Sequence, residues 1–465
     1  MSSMAKIDLQ KSLQMKALFT VSVGFFMVCL DTTVVNVALQ NLRFSLHTDI
    51  SGLQWIIDAY ILSFASLLLS AGDISDRIGP KKVFCFGLLI FVIASALCGI
   101  APSIILLIIA RVLQGIGSAL LVSTSLSLLR HVFLETSDRA KAFGIWGSIG
   151  GSAVAVGPVI GGFLISAFGW RSVFIINIPF GVLGLYVAIK YLPNVACIAK
   201  KIKVFQQIAS IAILGIIAYI FITAGSYGWD SWSIVFSSGI LVIFIIGFLI
   251  AELLSDSPML PREIITQSSF LAAATIGLII NFGFYGQLFI MSLYFEQAKG
   301  YSVIETGFAF LPQAIACSTA AFFCGRFTAK VGPRLPMTIG FSISFLGLVG
   351  MTLINPSSLY IYTLAPMLLM GFGMSFIAPA TIAAAMSAAS PAQGGVISGI
   401  INAVRQSGSL MGIAILGSFM GSQNFIAAGM RTGFIITAIL YLIGLCCTIF
   451  WILPKNLSSN TKLIN

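Results

Sequence analysis

Charge is what this sequence has least of. Only 8% of its 465 residues are Asp, Glu, Lys or Arg, against 58% apolar residues, and so little polar surface cannot cover a water-soluble globule of that length. Most of the chain must face lipid. Histidine is nearly missing: His47 and His131 stand alone, each near the end of an apolar run, which leaves little from which to build a metal site or a histidine-dependent catalytic centre. Of the eight cysteines, Cys29, Cys85, Cys98, Cys317, Cys324, Cys446 and Cys447 lie within apolar runs and Cys197 lies between two of them, the distribution of small packing residues and not of a disulfide framework. There is no phosphate-cradling G-x-x-x-x-G-K-[ST] loop and no long polar stretch to form a nucleotide domain.

What is present is a succession of hydrophobic runs, each near the roughly 20 residues that cross a bilayer as a helix. Fourteen are expected, near 17–39, 53–72, 82–101, 103–129, 141–166, 170–192, 204–225, 233–252, 270–295, 303–327, 334–354, 357–384, 393–420 and 431–453. The first follows Lys6, Lys11 and Lys16 as a signal peptide would, but it is long and has no small-residue cleavage site, so it reads as a retained helix.

The net charge of +11 is a topological signal. Of the 25 Lys and Arg residues, Arg43, Arg171, Lys299 and Arg431 fall on one side of the fourteen-span arrangement and Arg111 and Arg405 inside spans; the other 19 alternate onto the opposite side. The positive-inside rule makes that side the cytoplasm and puts both termini there. The basic balance therefore predicts no nucleic-acid partner.

An internal repeat organises the chain. Gly72-Asp73-Ile74-Ser75-Asp76-Arg77-Ile78-Gly79-Pro80-Lys81 returns as Gly325-Arg326-Phe327-Thr328-Ala329-Lys330-Val331-Gly332-Pro333-Arg334, and Gly115 and Gly117 return as Gly371 and Gly373. The offsets, 253 and 256, nearly agree. The expectation is an all-α membrane protein of two parallel six-helix bundles, 17–192 and 263–454, joined by a linker with two extra spans over 193–262. Residues 1–16 and 455–465 form cytoplasmic ends.

These residues carry a resemblance. Leu30-Asp31-Thr32-Thr33-Val34-Val35-Asn36-Val37-Ala38-Leu39 looks like the first-span signature of the fourteen-span drug:proton antiporters of the major facilitator superfamily, departing at Gln40, where that family usually has proline. Gly72 to Val83 resembles the superfamily's loop between spans two and three, with Pro80 in place of a usual basic residue. Arg111 with Gln114, Gly115 and Gly117 resembles its fourth-span motif. Gly144, Gly157, Pro158, Gly161 and Gly162 resemble its antiporter motif, with Ala153 where the family has its central glycine. Gly52 to Tyr60 and Asn281 to Leu288 look most like the subgroup that includes methylenomycin A resistance proteins. The resemblance implies the major facilitator fold and proton-coupled efflux of amphipathic compounds or antibiotics by alternating access. A monomer is expected, with no cofactor beyond the proton gradient; low charge, short loops and the lack of a large soluble domain point to a bacterial inner membrane.

Physical chemistry adds candidate roles. Asp73, Asp76 and Arg77, with Gly79 and Lys81, sit at a helix end where charge pairs and dipoles can latch two halves, or simply form a solvated topogenic loop. An arginine at mid-depth costs about 3 kcal/mol even on lenient scales and calls for a partner. Asp31 is the expected one. Burial raises a carboxyl's proton affinity and a nearby arginine lowers it, so a movable Arg111 would make Asp31 a proton carrier; a fixed structural pair is the alternative. Asp58 is the second intramembrane acid, a proton site, a cation site or a helix contact. Asn36, Trp55, Tyr60, Asn281, Phe282, Tyr285, Gln287, Asn402 and Gln406 are expected to line the substrate cavity. Arg405 there favours an anionic group or opposes a cationic one. A proton symporter for a metabolite, or a lipid flippase, fits the same bundle; an enzyme or a channel fits it less well.

Overall fold

The computed structural model describes residues 3–133, 135–195, 204–255, 258, 264, 266–387, 394–420 and 426–452. Cys197, the basic stretch Lys200–Lys203 and the tail 455–465 lie outside the described residues. All regular structure among the described residues is helical.

The first span is α1 (Ser3–Val34), a 3-10 turn over Val35–Ala38, and α2 (Leu39–Leu46). There follow α3 (Ile50–Ile78), α4 (Pro80–Ile100), α5 (Ile104–Val132), α6 (Thr136–Phe168), the short α7 (Ser172–Ile175) and α8 (Asn177–Tyr191). The inserted pair is α9 (Val204–Tyr227) and α10 (Trp232–Leu254). The second half comprises α11 (Ser268–Leu293) with a π-turn at Tyr294–Ala298, α12 (Val303–Val331), α13 (Arg334–Thr352), α14 (Tyr360–Ser387), α15 (Gly394–Ser418) and α16 (Ile426–Trp451).

Each expected span thus has its helix. Twelve are long and apolar enough to cross a membrane, and α6 makes a thirteenth when Lys141–Val154 and Val156–Phe168, bent 44° from one another, count as one span. The bend has a cause in Pro158, whose ring crowds the carbonyl of Val154 and leaves it without an N–H donor. The remaining span, α15, is less apolar because it carries Asn402, Arg405 and Gln406 and packs against α3, α9 and α11.

The repeat extends to atomic detail. Gly79 ends α3 with φ 102° and Gly332 ends α12 with φ 85°, a region L-residues avoid, and Pro80 and Pro333 then set the next helix off. At the second repeated site a Cβ on Gly117 would stand 2.8 Å from the Gly87 carbonyl, and one on Gly340 would stand 2.6 Å from the Gly373 carbonyl. Both halves therefore pack their corresponding helices, α4 on α5 and α13 on α14, at backbone contact.

The halves meet through α6 against α12 and α3 against α15, with the first span against α11 between them. The inserted α9 lies along α3 and α15 at once, where the Gln207 carboxamide bonds Ser66 and Ser70 of α3. Its partner α10 has only 6% of its span buried against 89% for Ser268–Ala298, so α10 faces lipid and α11 the centre.

Candidate functional site

The first half is centred on a buried ion pair. Arg111 of α5 and Asp31 of α1 are both fully buried, and Arg111 Nη1 donates to Asp31 Oδ2. Both Asp31 oxygens and Arg111 Nε and Nη1 are bonded, while Arg111 Nη2 has no hydrogen-bond partner among the described residues. Arg111 Nε donates to the Ile56 carbonyl of α3 at 3.0 Å and Nη1 to Gln114 Oε1 at 2.7 Å. Asp31 Oδ1 accepts from Gln114 Nε2 at 2.9 Å and from Asn177 Nδ2 at 3.3 Å, and Gln114 also donates to Ser95 Oγ at 2.9 Å. The Tyr60 ring lies over the guanidinium, 4.2 Å away, and its hydroxyl is tied to Ser118 at 2.8 Å. A charge pair removed from water is tolerable only when bonded in this way. Five helices meet there: α1, α3, α4, α5 and α8.

Sequence reasoning foresees Asp31, Arg111 and Gln114. It misses Asn177 and Ser95, and it places Tyr60 in the cavity, whereas the ring caps Arg111. A lone Asn in the run Phe174–Phe180 is the only signal in the sequence for Asn177.

Asp58 is different. It is fully buried, and neither carboxyl oxygen has a hydrogen-bond partner among the described residues. One turn before it on the same face of α3, Gln54 donates to the Ile413 and Ala414 carbonyls of α15, each at 3.0 Å. Asp58 is therefore turned to the side of α3 that meets the other half, away from Arg111.

Among the described residues the seam is closed at one face only. At the face opposite the N-terminus, Ser292 donates to the Asn36 carbonyl, Gln40 N–H donates to Glu296 Oε2 at 3.1 Å, and Gln297 donates to Gln40 Oε1 at 3.2 Å. Beside these, a Cβ on Gly307 would stand 2.7 Å from the Pro158 carbonyl, and one on Gly162 3.0 Å from the Val303 carbonyl. Gly157 and Gly161 pack on the first span at Thr33 and Val34. Toward the N-terminal face the same two helices part: Gly144 and Gly151 of α6 and Gly325 of α12 meet no described atom within 4 Å. The glycine motif thus divides into a packed half and an open half.

The loop from Gly72 to Lys81 stands at that open face. Gly72 lies against Ser123 of α5, Asp76 and Arg139 are the charged neighbours of Arg130 at the end of α5, and Arg77 is exposed. Asp76 therefore faces a partner within its own half.

The expected cavity residues separate into groups. Asn281 of α11 donates to Ser409 at 3.0 Å and accepts from Arg405 Nε at 3.3 Å, while Ser409 donates to Gln406 at 3.2 Å. Tyr285 is buried one turn above Asn281. Asn36 belongs to the closed seam. Gln287 and Gln313 bond each other reciprocally at 3.1 and 2.8 Å, and Phe282 is buried where the Gly412 backbone approaches its carbonyl. Trp55 is half-buried against the core, and Asn402 lines a crevice with Ile382, Met386 and Ile397. Among the described residues no group of His, Cys, Asp and Glu could hold a metal, and the described cysteines are free thiols.

Duplicated helical halves meeting along a seam closed at one face, with a buried ion pair beside it, have the architecture of membrane transporters built from parallel repeats. Residues 21–413 match the Major Facilitator Superfamily, and the chain belongs to it; it is an integral membrane protein of a family that moves small molecules across the bilayer. It is 32% identical over 437 residues to the methylenomycin A resistance protein of Streptomyces coelicolor, covering 94% of this chain and 91% of the relative. With the methylenomycin A resistance protein of Bacillus subtilis it shares 33% identity, covering 94% and 93%. Among solved structures, a bacterial homolog to the human lysosomal transporter Spinster in an inward-facing, unoccupied conformation aligns with a TM-score of 0.66 at 17% identity, covering 97% of this chain and 98% of that one. That likeness concerns the fold.

Proposed function

We propose that the protein is a proton-coupled exporter of small amphipathic compounds, antibiotics among them. The N-terminal face is read as cytoplasmic, so the seam open on that side represents the state that loads substrate from within the cell. The relatives named for antibiotic resistance support the export direction. The observation that carries the coupling is the contrast between two intramembrane carboxyls: Asp31 bound by Arg111, Gln114 and Asn177, and Asp58 with no partner among the described residues.

The first carboxyl is matched to a guanidinium and two carboxamide donors, whereas the second faces no donor among the described residues, where an unpaired charge would be costly. Parting of α3 from α15 would expose Asp58 to the outer solution, where it can exchange its proton. Movement of Arg111 would free Asp31 to take one. The driving force suffices: one proton falling through about 150 mV supplies roughly 3.5 kcal/mol. At about 1.4 kcal/mol per tenfold, that sustains roughly a 300-fold gradient of a neutral compound.

The test is compound-dependent proton movement in inverted vesicles carrying wild type, Asp31→Asn or Asp58→Asn. Alkalinisation of the lumen on adding a transported compound, lost in one or both variants, is the expected result. Undiminished proton movement in both variants would remove the carboxyls from the mechanism, and none in wild type would overturn proton coupling.

A further inference from the structure

Two arginines, Arg111 and Arg405, lie well away from the ends of their helices, and their surroundings differ. Arg111 is enclosed by a carboxylate, a carboxamide, a backbone carbonyl and an aromatic face. Arg405 lies midway along α15, half-buried, and the one described hydrogen bond of its side chain runs from Nε to Asn281 Oδ1 at 3.3 Å. No carboxylate among the described residues pairs with it. Asp31 is taken by Arg111, and Asp58 belongs to α3.

The stem of Arg405 is nonetheless placed with care. It crosses α11 at Gly277, where a Cβ would come within 2.9 Å of Arg405 Cγ, so a small residue is needed there for the side chain to lie in its slot. Asn281, one turn along α11, holds Nε and is itself held by Ser409. Tyr285 follows after another turn. Among the described residues no hydrogen bond is made by the guanidinium's terminal nitrogens, which stand by Asn281 and Tyr285 of α11 and Cys29 of the first span. A guanidinium at membrane depth is costly without a counter-charge, and its planar fork matches a carboxylate in two-point contact.

We infer that Arg405 is the anchor for a carboxylate on the transported compound. The proposal rests on the export reading above and names its substrate class: amphipathic organic acids, with an apolar body lying against the aromatic and aliphatic faces of α11. The counter-charge that Arg111 has in Asp31, Arg405 receives from its cargo. Cationic compounds meet repulsion at the same point.

The experiment uses the full chain in nanodiscs of zwitterionic lipid and three probes sharing one ring system: 1-naphthoate, 1-naphthamide and 1-naphthylmethylammonium. Phenylglyoxal modification of arginines is read by mass spectrometry. Arg405 is expected to react while Arg111 does not, and naphthoate is expected to protect Arg405 at about tenfold lower concentration than the amide, with no protection by the ammonium. In vesicles, Arg405→Gln should lower naphthoate export by about tenfold and spare the amide, and Arg405→Lys should restore part of it. Equal protection by acid and amide, protection by the ammonium, or none by the acid overturns the inference. Protection by naphthoate without proton movement on its transport leaves the anion site standing and sinks proton coupling; proton movement with the ammonium alone does the reverse.

Discussion

At the scale of single residues, the buried charges behave unlike one another when altered. Arg111→Ala leaves the Asp31 carboxylate with Gln114 and Asn177 but no counter-charge. Breaking a buried pair from one side costs about 3–5 kcal/mol, so the thermal midpoint in detergent should fall sharply. The double variant Asp31→Asn, Arg111→Gln should recover a large part of that loss, because neither charge then remains; a double variant less stable than either single one would contradict the account. Asp58 responds in the other direction. An unsatisfied buried polar group costs about 1–3 kcal/mol, so Asp58→Leu should raise the midpoint while reducing proton-coupled transport. Stability and transport falling together would mean that Asp58 has a structural partner in another state.

Among the elements, the first span and the π-turn after α11 make an unusual pair. Gln40 stands where related antiporters usually carry proline, and its backbone N–H is the donor that Glu296 accepts. A proline cannot donate. With Gln40→Pro, Glu296 Oε2 loses its partner while Oε1 has none among the described residues, and the closed seam should weaken by about 1–3 kcal/mol. Spin labels at Arg43→Cys and Lys299→Cys report the gap at that face. The distance distribution should shift toward the separated state in Gln40→Pro and return in Gln40→Pro, Glu296→Leu, whereas an unchanged distribution in the single variant would show that the bond does not hold the seam.

Across the whole molecule, the halves touch at one face and part at the other. On a background without the eight native cysteines, a cysteine at Gly144 or Gly325 should react quickly with a bulky thiol reagent supplied from the N-terminal face, and one at Gly162 should not. Addition of a transported compound with a proton gradient should slow the first two as the halves rock. Equal reactivity at all three positions would argue against a seam closed on one side.

How far each level can be read from the chain follows from where the information lies. Bilayer-length apolar runs, the alternation of Lys and Arg, and the repeated loop ending at Gly79 and Gly332 are local signals. A helix in lipid must satisfy its own backbone, so they determine the number of spans, their order and the duplication without reference to any neighbour. The pairing of Asp31 with Arg111 is legible as well, since a mid-depth guanidinium leaves few choices of partner. Tertiary structure alone decides which face of each helix turns inward. It moves Tyr60 from the cavity to the guanidinium, brings in Asn177 and Ser95, and assigns Asn36 and Gln40 to the seam. It also leaves Arg405 without a carboxylate and Asp58 without a donor among the described residues. In helices that are apolar on nearly every side, hydrophobic periodicity is too weak to orient a face, and close packing of small residues between helices distant in sequence sets the orientation instead.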